Sequence, residues 1–288
     1  IKIDNNDDDV YYNKVNTQSE TRSLRDFHNL YVKNMLIGKL SNSGSTLIDF
    51  ACGKAGDLPK WINAKLAFVL GLDLNKDNIE NRLDGACARY LNYAKKYSTI
   101  PKAIFINGNS FINIKNGDAF ATEKNKQIIQ ALFGQGAKNE IVLGKGVYNN
   151  YGIAQNGFNI SSIQFALHYM FENETILNEF LKNVTECTAL EGYFIGTCYD
   201  GNKVFNLLSD VEINNSISLM KNNKKIWEVT KKYSNQSYND DESCIGYAID
   251  VYQESINKTF REYLVNFTYL TRLLENYGFA LLSKDEIK

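Results

Sequence analysis

The sequence predicts an α/β domain built on a mostly parallel sheet, with helices on both faces and an antiparallel C-terminal part. Three observations carry that expectation. Short apolar runs alternate with helix-patterned stretches from about residue 46 to residue 197, the arrangement that gives parallel strands joined by crossover helices. The first run, Thr46 to Phe50 (TLIDF), breaks into the small-residue turn ACGKAG and then an acid, Asp57, which reads as strand, tight turn and helix start. The second run ends on another acid, Asp73, 20 residues beyond Gly53.

Taken in order, residues 1–18 form an acidic, Asn-rich segment whose first part is expected to be flexible, and residues 19–288 form the domain. Leu24, Phe27, Tyr31 and Met35 recur at helical spacing between Ser19 and Leu40, and SNSGS ends that helix. The run AFVLGL (Ala67 to Leu72) is a second strand. Asp77 to Tyr97 reads as one long helix, with Ile79, Leu83, Ala86, Tyr90 and Tyr93 on one side. Ala103 to Ile106 is a third strand. A helix near Asp118 to Phe133 and a Gly-rich loop from Gly134 to Gly146 precede a fourth strand, Phe158 to Phe165. Glu174 to Leu190 reads as a helix broken by Gly192, and Tyr193 to Thr197 as the fifth strand. Beyond Asp200, antiparallel strands are expected to finish the same sheet before a helix in YLTRLLENYGF.

Composition narrows the function classes. A net charge of −1 over 288 residues argues against a protein that grips long nucleic acid along its length, so any polyanion is met locally. The five cysteines (Cys52, Cys87, Cys187, Cys198, Cys244) are scattered, with no CxxC pair or Cys/His cluster. Neither a disulfide framework nor a metal site is expected, and a reducing, intracellular compartment fits. No apolar run nears the ~18 residues of a membrane span, and no signal peptide is legible. A chain starting at Ile1 is expected to be part of a longer protein.

The turn after the first strand lacks the GK[ST] ending of a P-loop and is not GxGxxG. An acid closing the second strand can accept hydrogen bonds from ribose hydroxyls, so the spacing points to an adenosine cofactor. The plain alternative is an ordinary strand–helix turn with a solvated aspartate.

Longer motifs sharpen this. DFACGKAGDLPKW (Asp49 to Trp61) resembles DLGCGKGGDLxKW, the signature of mRNA cap (guanine-N7) methyltransferases. IQFALHYMFEN (Ile163 to Asn173) is similar to that family's QFxxHYxFE block, and GYFIGT (Gly192 to Thr197) to its GGYFIGT strand. LRDFHNLYVKNMLI (Leu24 to Ile37) resembles LRxFNNWxKxxLI, and FREYLVNF (Phe260 to Phe267) resembles PEFLVYF. The resemblance implies a Rossmann-like class I fold, S-adenosyl-L-methionine as methyl donor with S-adenosyl-L-homocysteine as product, and the 5′ end of GpppN-capped RNA as partner. It further implies the methyltransferase part of a multifunctional capping enzyme of a large DNA virus. Triphosphatase and guanylyltransferase domains would then be linked N-terminally, with no membrane partner, in the host cytoplasm with the virion as a second location.

Residue by residue, the resemblance assigns Lys33 to the cofactor carboxylate, Asp57 to its amino end, Asp73 to the ribose, and Gly53 and Gln164 to the site lining. Ala51 stands where the family has glycine, which is tolerable only at negative φ. Asn109 stands where the family has an aspartate facing the adenine. His168 and Tyr169, with Phe171 nearby, match the guanine-binding pair. Glu262 matches the carboxylate that accepts from guanine N1–H and N2. Lys54 and Arg89 would meet the cap phosphates, with Arg82 as rival to Arg89, Lys60 assisting and Asn29 also on the cap. The family's C-terminal tyrosine beside the guanine has no match. No residue is assigned as a general base, since guanine N7 has no proton to lose. Two further readings stay open: a methyltransferase for another substrate, and a non-catalytic RNA-binding module.

Overall fold

The computed structural model describes residues 19–283 and 285–287, so the acidic N-terminal segment lies outside the described residues. Five strands form the parallel sheet: β1 (Thr46–Asp49), β2 (Phe68–Asp73), β3 (Lys102–Asn107), β4 (Phe158–Gln164) and β5 (Thr188–Thr197). Their order is β3-β2-β1-β4-β5, every neighbour parallel. The progression reverses between β1 and β4, and the crevice beyond the carboxyl ends there is where such sheets take ligands.

Both faces of the sheet are covered, which is why β1 and β2 read as unbroken apolar runs. Ile48, Leu70 and Leu72 point into one core with Phe158, Leu177 and Phe180. Leu47 and Val69 point into the other with Trp61, Ile160 and Ile195. The helices are α1 (Arg22–Asp26), α2 (Lys33–Leu40), α3 (Leu58–Asn63), α4 (Lys76–Glu80), α5 (Ala86–Ala94), α6 (Glu123–Leu132), α7 (Glu140–Leu143), α8 (Lys145–Tyr148), α9 (Glu174–Cys187), α10 (Gly201–Leu207) and α11 (Phe267–Asn276).

Several expectations need correction. The long 77–97 helix is two, α4 and α5. Asn81 leaves helical geometry (φ −55, ψ 120), and its side chain accepts from the Leu83 and Asp84 N–H groups instead. The helix near 118–133 starts only at Glu123, capped by Thr122, and the Gly-rich loop holds α7 and α8 on either side of Gly144. Helix α9 ends at Cys187, so Gly192 lies inside β5 rather than breaking a helix. A Cβ at Gly192 would sit 2.8 Å from the Ala189 carbonyl and 2.9 Å from that of Asn159. Between α1 and α2 the backbone passes through a π-helical turn, Phe27–Val32. The segment Leu24 to Ile37 is one residue longer than the pattern it resembles, and a π turn absorbs such an insertion without breaking the helix.

The strands beyond Asp200 do not finish the parallel sheet. They form a second, antiparallel sheet of β6 (Ser216–Lys221), β7 (Lys224–Lys231), β8 (Ala248–Gln253) and β9 (Lys258–Tyr263), in that order. Consecutive strands pair with one another, through short turns between β6 and β7 and between β8 and β9 and a longer loop between β7 and β8, so the meander needs no edge of the first sheet. Asn222 and Asn223 close the first hairpin, both at positive φ, as a type I′ turn requires. A core of Val204, Leu208, Val229, Ile249, Val251 and Leu264 lies beneath it.

The sheets are joined where α10 meets the end of β9. A Cβ on Gly201 would lie 2.3 Å from the Val265 carbonyl oxygen and 2.6 Å from the Tyr238 hydroxyl. Gly201→Ala should therefore cost ~1–3 kcal/mol and lower the melting temperature by several degrees. Gly146→Ala, with open space at its Cβ, should melt as the wild type does. Differential scanning calorimetry of the two variants checks this, and equal melting would refute the tight junction.

Candidate functional site

The loop after β1 folds beneath the end of β2. The Cys52 N–H donates to the Leu72 carbonyl at 2.8 Å, and the Gly53 N–H donates to Asp73 Oδ2 at 2.8 Å. Gly53 takes φ +53, which glycine adopts at no cost. Ala51 keeps a negative φ, so the alanine is accommodated. The left-handed turn falls instead on the buried Ala55, at φ +54, a conformation that costs ~1–2 kcal/mol in an L-residue.

Three carboxyl groups converge around this loop. Asp73 Oδ1 accepts from the Asn75 N–H (2.9 Å) and Asn78 Nδ2 (3.0 Å). Burial pushes its carboxyl up, against the pull of its three donors. A carboxylate has about four acceptor sites, so Asp73 has room for about one more donor. One ribose hydroxyl fits without displacing a neighbour, rather than two. Asp57 holds Lys33 Nζ at 3.3 Å and Lys60 Nζ at 2.9 Å; Lys60 is thereby committed to an acid. Asp49, buried at the end of β1, accepts from the Ala51 N–H at 3.1 Å. Its carboxyl is pushed up to about 8, by burial first and then by the charge of Asp57. Asp49 is the site residue that sequence reasoning left unassigned. Its signal was in view, as the single acid in an otherwise apolar strand.

These groups fit a ligand with an ammonium, a carboxylate and a ribose. Lys33 and Asp57 form an exchangeable ion pair whose members can each take the opposite end of an amino-acid group. Asn109, half-buried just past β3, already accepts the Phe111 N–H at 3.1 Å. Gln164 serves as a tie between strands: Nε2 donates to Ser162 Oγ (3.1 Å), and Oε1 accepts from Thr197 Oγ1 (3.0 Å).

A second cluster of buried polar groups adjoins the first, because Asp49 pairs with Ser162 in register and β4 then runs into the 3-10 turn Leu167–Phe171. His168 on that turn faces Glu262 on β9, with Nε2 and Oε2 3.9 Å apart, too far for a hydrogen bond. Both side chains are about 95% buried (4% and 5% exposed). Neither ring nitrogen of His168 nor Oε2 of Glu262 has a hydrogen-bond partner. Burial drives the imidazole down to about 3 and the carboxyl up to about 8, so no ion pair forms between them at neutral pH. Clustered buried polar atoms without partners are rare in native proteins and mark a place shaped for a polar ligand. The Tyr169 ring lies against His168 at 4.2 Å between centroids.

Other assigned residues fall elsewhere. Phe171 is fully buried in the main core, and its carbonyl accepts the Gly246 N–H at 3.0 Å, so it anchors the turn rather than lining the pocket. Lys54 is not a free phosphate donor. It is buried, with Nζ 2.8 Å from Asp84 and 3.6 Å from Asp77, two acids brought to it by the break between α4 and α5. Arg89 lies next to the loop after β1: a guanidinium nitrogen is 3.8 Å from where a Gly56 Cβ would be. Arg82 is exposed on the turn between the helices. Asn29 is half-buried on the π turn.

Sequence reasoning also missed Phe165 and His28. Phe165 sits at φ +57, strained for an aromatic residue, just before the His168 turn. His28 meets its ring edge-on at 5.1 Å, and Lys33 Nζ lies 5.3 Å from its centroid. Together they close the N-terminal helix over the crevice. Nothing in the local pattern signalled this contact between segments far apart in the chain. Among the described residues no group of His, Cys, Asp and Glu could hold a metal, and no helix is long and apolar enough to cross a membrane.

Comparison with known proteins agrees with the geometry. The family described as mRNA (guanine-N(7))-methyltransferase domain matches residues 5–288. The probable mRNA-capping enzyme of Acanthamoeba polyphaga mimivirus is 31% identical over 284 residues, covering 96% of this chain and 22% of that protein. The mRNA cap guanine-N(7) methyltransferase of Candida glabrata is 26% identical over 276 residues, covering 92% and 55%. The chain thus spans from about a fifth to about half the length of these curated relatives. A solved S-adenosylmethionine-dependent methyltransferase from Clostridium acetobutylicum aligns with a TM-score of 0.45 at 10% identity over 89% of this chain and 86% of that one, too loose a likeness to bear on the site. With the family match running over nearly all of its length, the chain belongs to the mRNA (guanine-N(7))-methyltransferase domain family.

Proposed function

We propose that this chain transfers a methyl group from S-adenosyl-L-methionine to guanine N7 of GpppN-capped RNA. The observation that carries this reading is the unpartnered His168–Glu262 pair, buried at the mouth of the parallel sheet. Guanine presents N1–H and N2–H as parallel donors, and an ionised Glu262 is an acceptor-only group that matches them. Neutral His168 offers one N–H and one acceptor nitrogen. N7 carries a free lone pair and no proton, so no general base is needed. The cofactor, when bound, supplies an already activated methyl on a sulfonium.

What the protein contributes is alignment and charge. Lys33 and Asp57 would hold the amino-acid end of the cofactor and Asp73 one ribose hydroxyl, and Gly53 would let the backbone approach closely. Fixing two reactants in line can supply ~7–11 kcal/mol of the barrier. Methylation at N7 would leave the purine positively charged. Glu262 on the guanine edge is therefore worth more in the transition state than in the ground state, which is the condition for raising the rate. The capping enzyme of mimivirus, of which this chain covers 22%, supports reading it as one domain of a multifunctional enzyme. Linked triphosphatase and guanylyltransferase domains would supply the GpppN end, in the cytoplasm of an infected cell.

Methyl transfer from labelled cofactor tests the proposal: label should enter GpppA-RNA and not uncapped RNA. Glu262→Ala should lower kcat/KM by roughly 10- to 100-fold, the size expected for lost hydrogen bonds to a charged group; full activity in that variant would remove Glu262 from the guanine edge. The pH profile gives an independent check. Glu262 must lose its proton to accept from guanine, so kcat/KM should rise with pH toward about 8, and Glu262→Gln should lose that limb. The sign for stability is the opposite. The folded value lies above the ordinary 4.5, so the stability linked to this group is complete below about 4.5 and is lost as pH rises through about 8. The Gln variant should then gain on the wild type in melting temperature across that window, and a constant difference would contradict the burial of the carboxyl.

A further inference from the structure

Tyr199 lies two residues beyond β5, half-buried where the chain passes between the sheets. Its hydroxyl oxygen accepts from Trp227 Nε1 at 3.3 Å and from Gln253 Nε2 at 2.8 Å. Two donors on one oxygen pin the ring. Strand register says where it is pinned. Trp227 stands opposite Gln253, Gln253 opposite Lys258, and Ile249 opposite Glu262. Directly paired residues share a face, as do alternate residues along a strand. Trp227, Gln253 and Glu262 therefore lie on one face of the antiparallel sheet, the face that packs with Val229, Ile249 and Val251 on α10. Tyr199 is laid along the same face as the guanine-reading carboxylate. Its neighbour Cys198 is close enough to Glu262 to feel its charge, as is the Tyr199 hydroxyl, although burial is the larger cause of the upward shift in both.

A partly buried aromatic ring, tied by its hydroxyl to the sheet face that also carries Glu262, has a definite use. We infer that Tyr199 is an aromatic wall of the guanine pocket, packing its ring face on the purine whose edge Glu262 reads. The inference rests on the proposed function. Stacking on an aromatic side chain is worth ~1–3 kcal/mol per base, and an electron-rich phenol ring attracts a cationic purine further. N7 methylation leaves the purine positively charged. Tyr199 therefore favours the methylated cap over the unmethylated one, and favours the transition state in which that charge develops.

The test uses Tyr199→Leu and Tyr199→Phe in the full chain. Fluorescence titration would follow m7GpppA and GpppA, calorimetry would follow S-adenosyl-L-homocysteine, and steady-state kinetics would use GpppA-RNA. Tyr199→Leu should weaken m7GpppA about tenfold or more and GpppA by less, and should raise KM for capped RNA, with homocysteine-cofactor affinity unchanged. Tyr199→Phe keeps the ring and loses only the clamp, so m7GpppA affinity should stay within about twofold of wild type. Wild-type affinity for m7GpppA in the Leu variant would overturn the inference. So would equal losses in Leu and Phe, which would make Tyr199 a hydroxyl tie between strands. A wild-type protein that neither binds nor methylates capped RNA would overturn the proposed function and this inference with it. A wild type that methylates normally beside an unaffected Leu variant would remove the inference alone.

Discussion

The imidazole of His168 and the carboxyl of Glu262 face each other at 3.9 Å inside the protein without bonding to each other. Holding two such groups dry and apart is costly, since a buried polar atom without a partner forfeits ~1–3 kcal/mol. The fold supplies what is needed to hold them there. His168 rides on a short turn fixed by Phe171 in the core and by the Gly246 N–H on the Phe171 carbonyl. Glu262 rides on a strand of a separate sheet with its own core. The tight junction at Gly201 and Val265 joins the two parts. A ligand that satisfies both groups recovers the cost of leaving them unpaired, and guanine has the donors and acceptors to do so.

The adjoining pocket follows a complementary rule. Asp49, Asp57 and Asp73 gather around one loop, and their mutual repulsion and burial favour a cationic ligand between them. Lys33 offsets part of that charge and can exchange partners when an amino-acid group arrives. Lys54 shows the same economy of charge from the other side, with Asp77 and Asp84 drawn onto it. The site is therefore electrostatically poised for a cationic ligand.

Much of this was legible in the residues. Strands β1, β2 and β4 could be read because burial on both faces leaves apolar runs with little alternation. Asp73 could be read because an acid closing the second strand has a geometric role. The chemistry-bearing blocks around Gly53, His168 and Glu262 were legible as local strings. What escaped was set by distant parts of the chain. The second sheet has alternating strands such as KKIWEVTK, but no local pattern says which neighbour a strand will choose. Lys54 looked free because its acids lie 23 and 30 positions further on, brought back by a helix break at Asn81. Phe171 looked like a pocket residue because it sits in the same aromatic block as Tyr169, yet a tight turn sends one ring into the core and leaves the other half-exposed. Gln164, expected to line the cofactor, also ties two strand ends through Ser162 and Thr197, a contact that no local pattern signals.

On the proposed function, guanine recognition draws on a carboxyl kept protonated by burial in the free protein and ionised in the complex. Calorimetric titration of GpppA into the protein at pH 7, in two buffers of different ionisation enthalpy, measures the protons exchanged on binding. A Glu262 carboxyl near 8 when free predicts release of about one proton per cap bound, and no release from Glu262→Gln. Binding that exchanges no protons in the wild type, or the same number in the variant, would show that the Glu262 carboxyl does not ionise on the guanine.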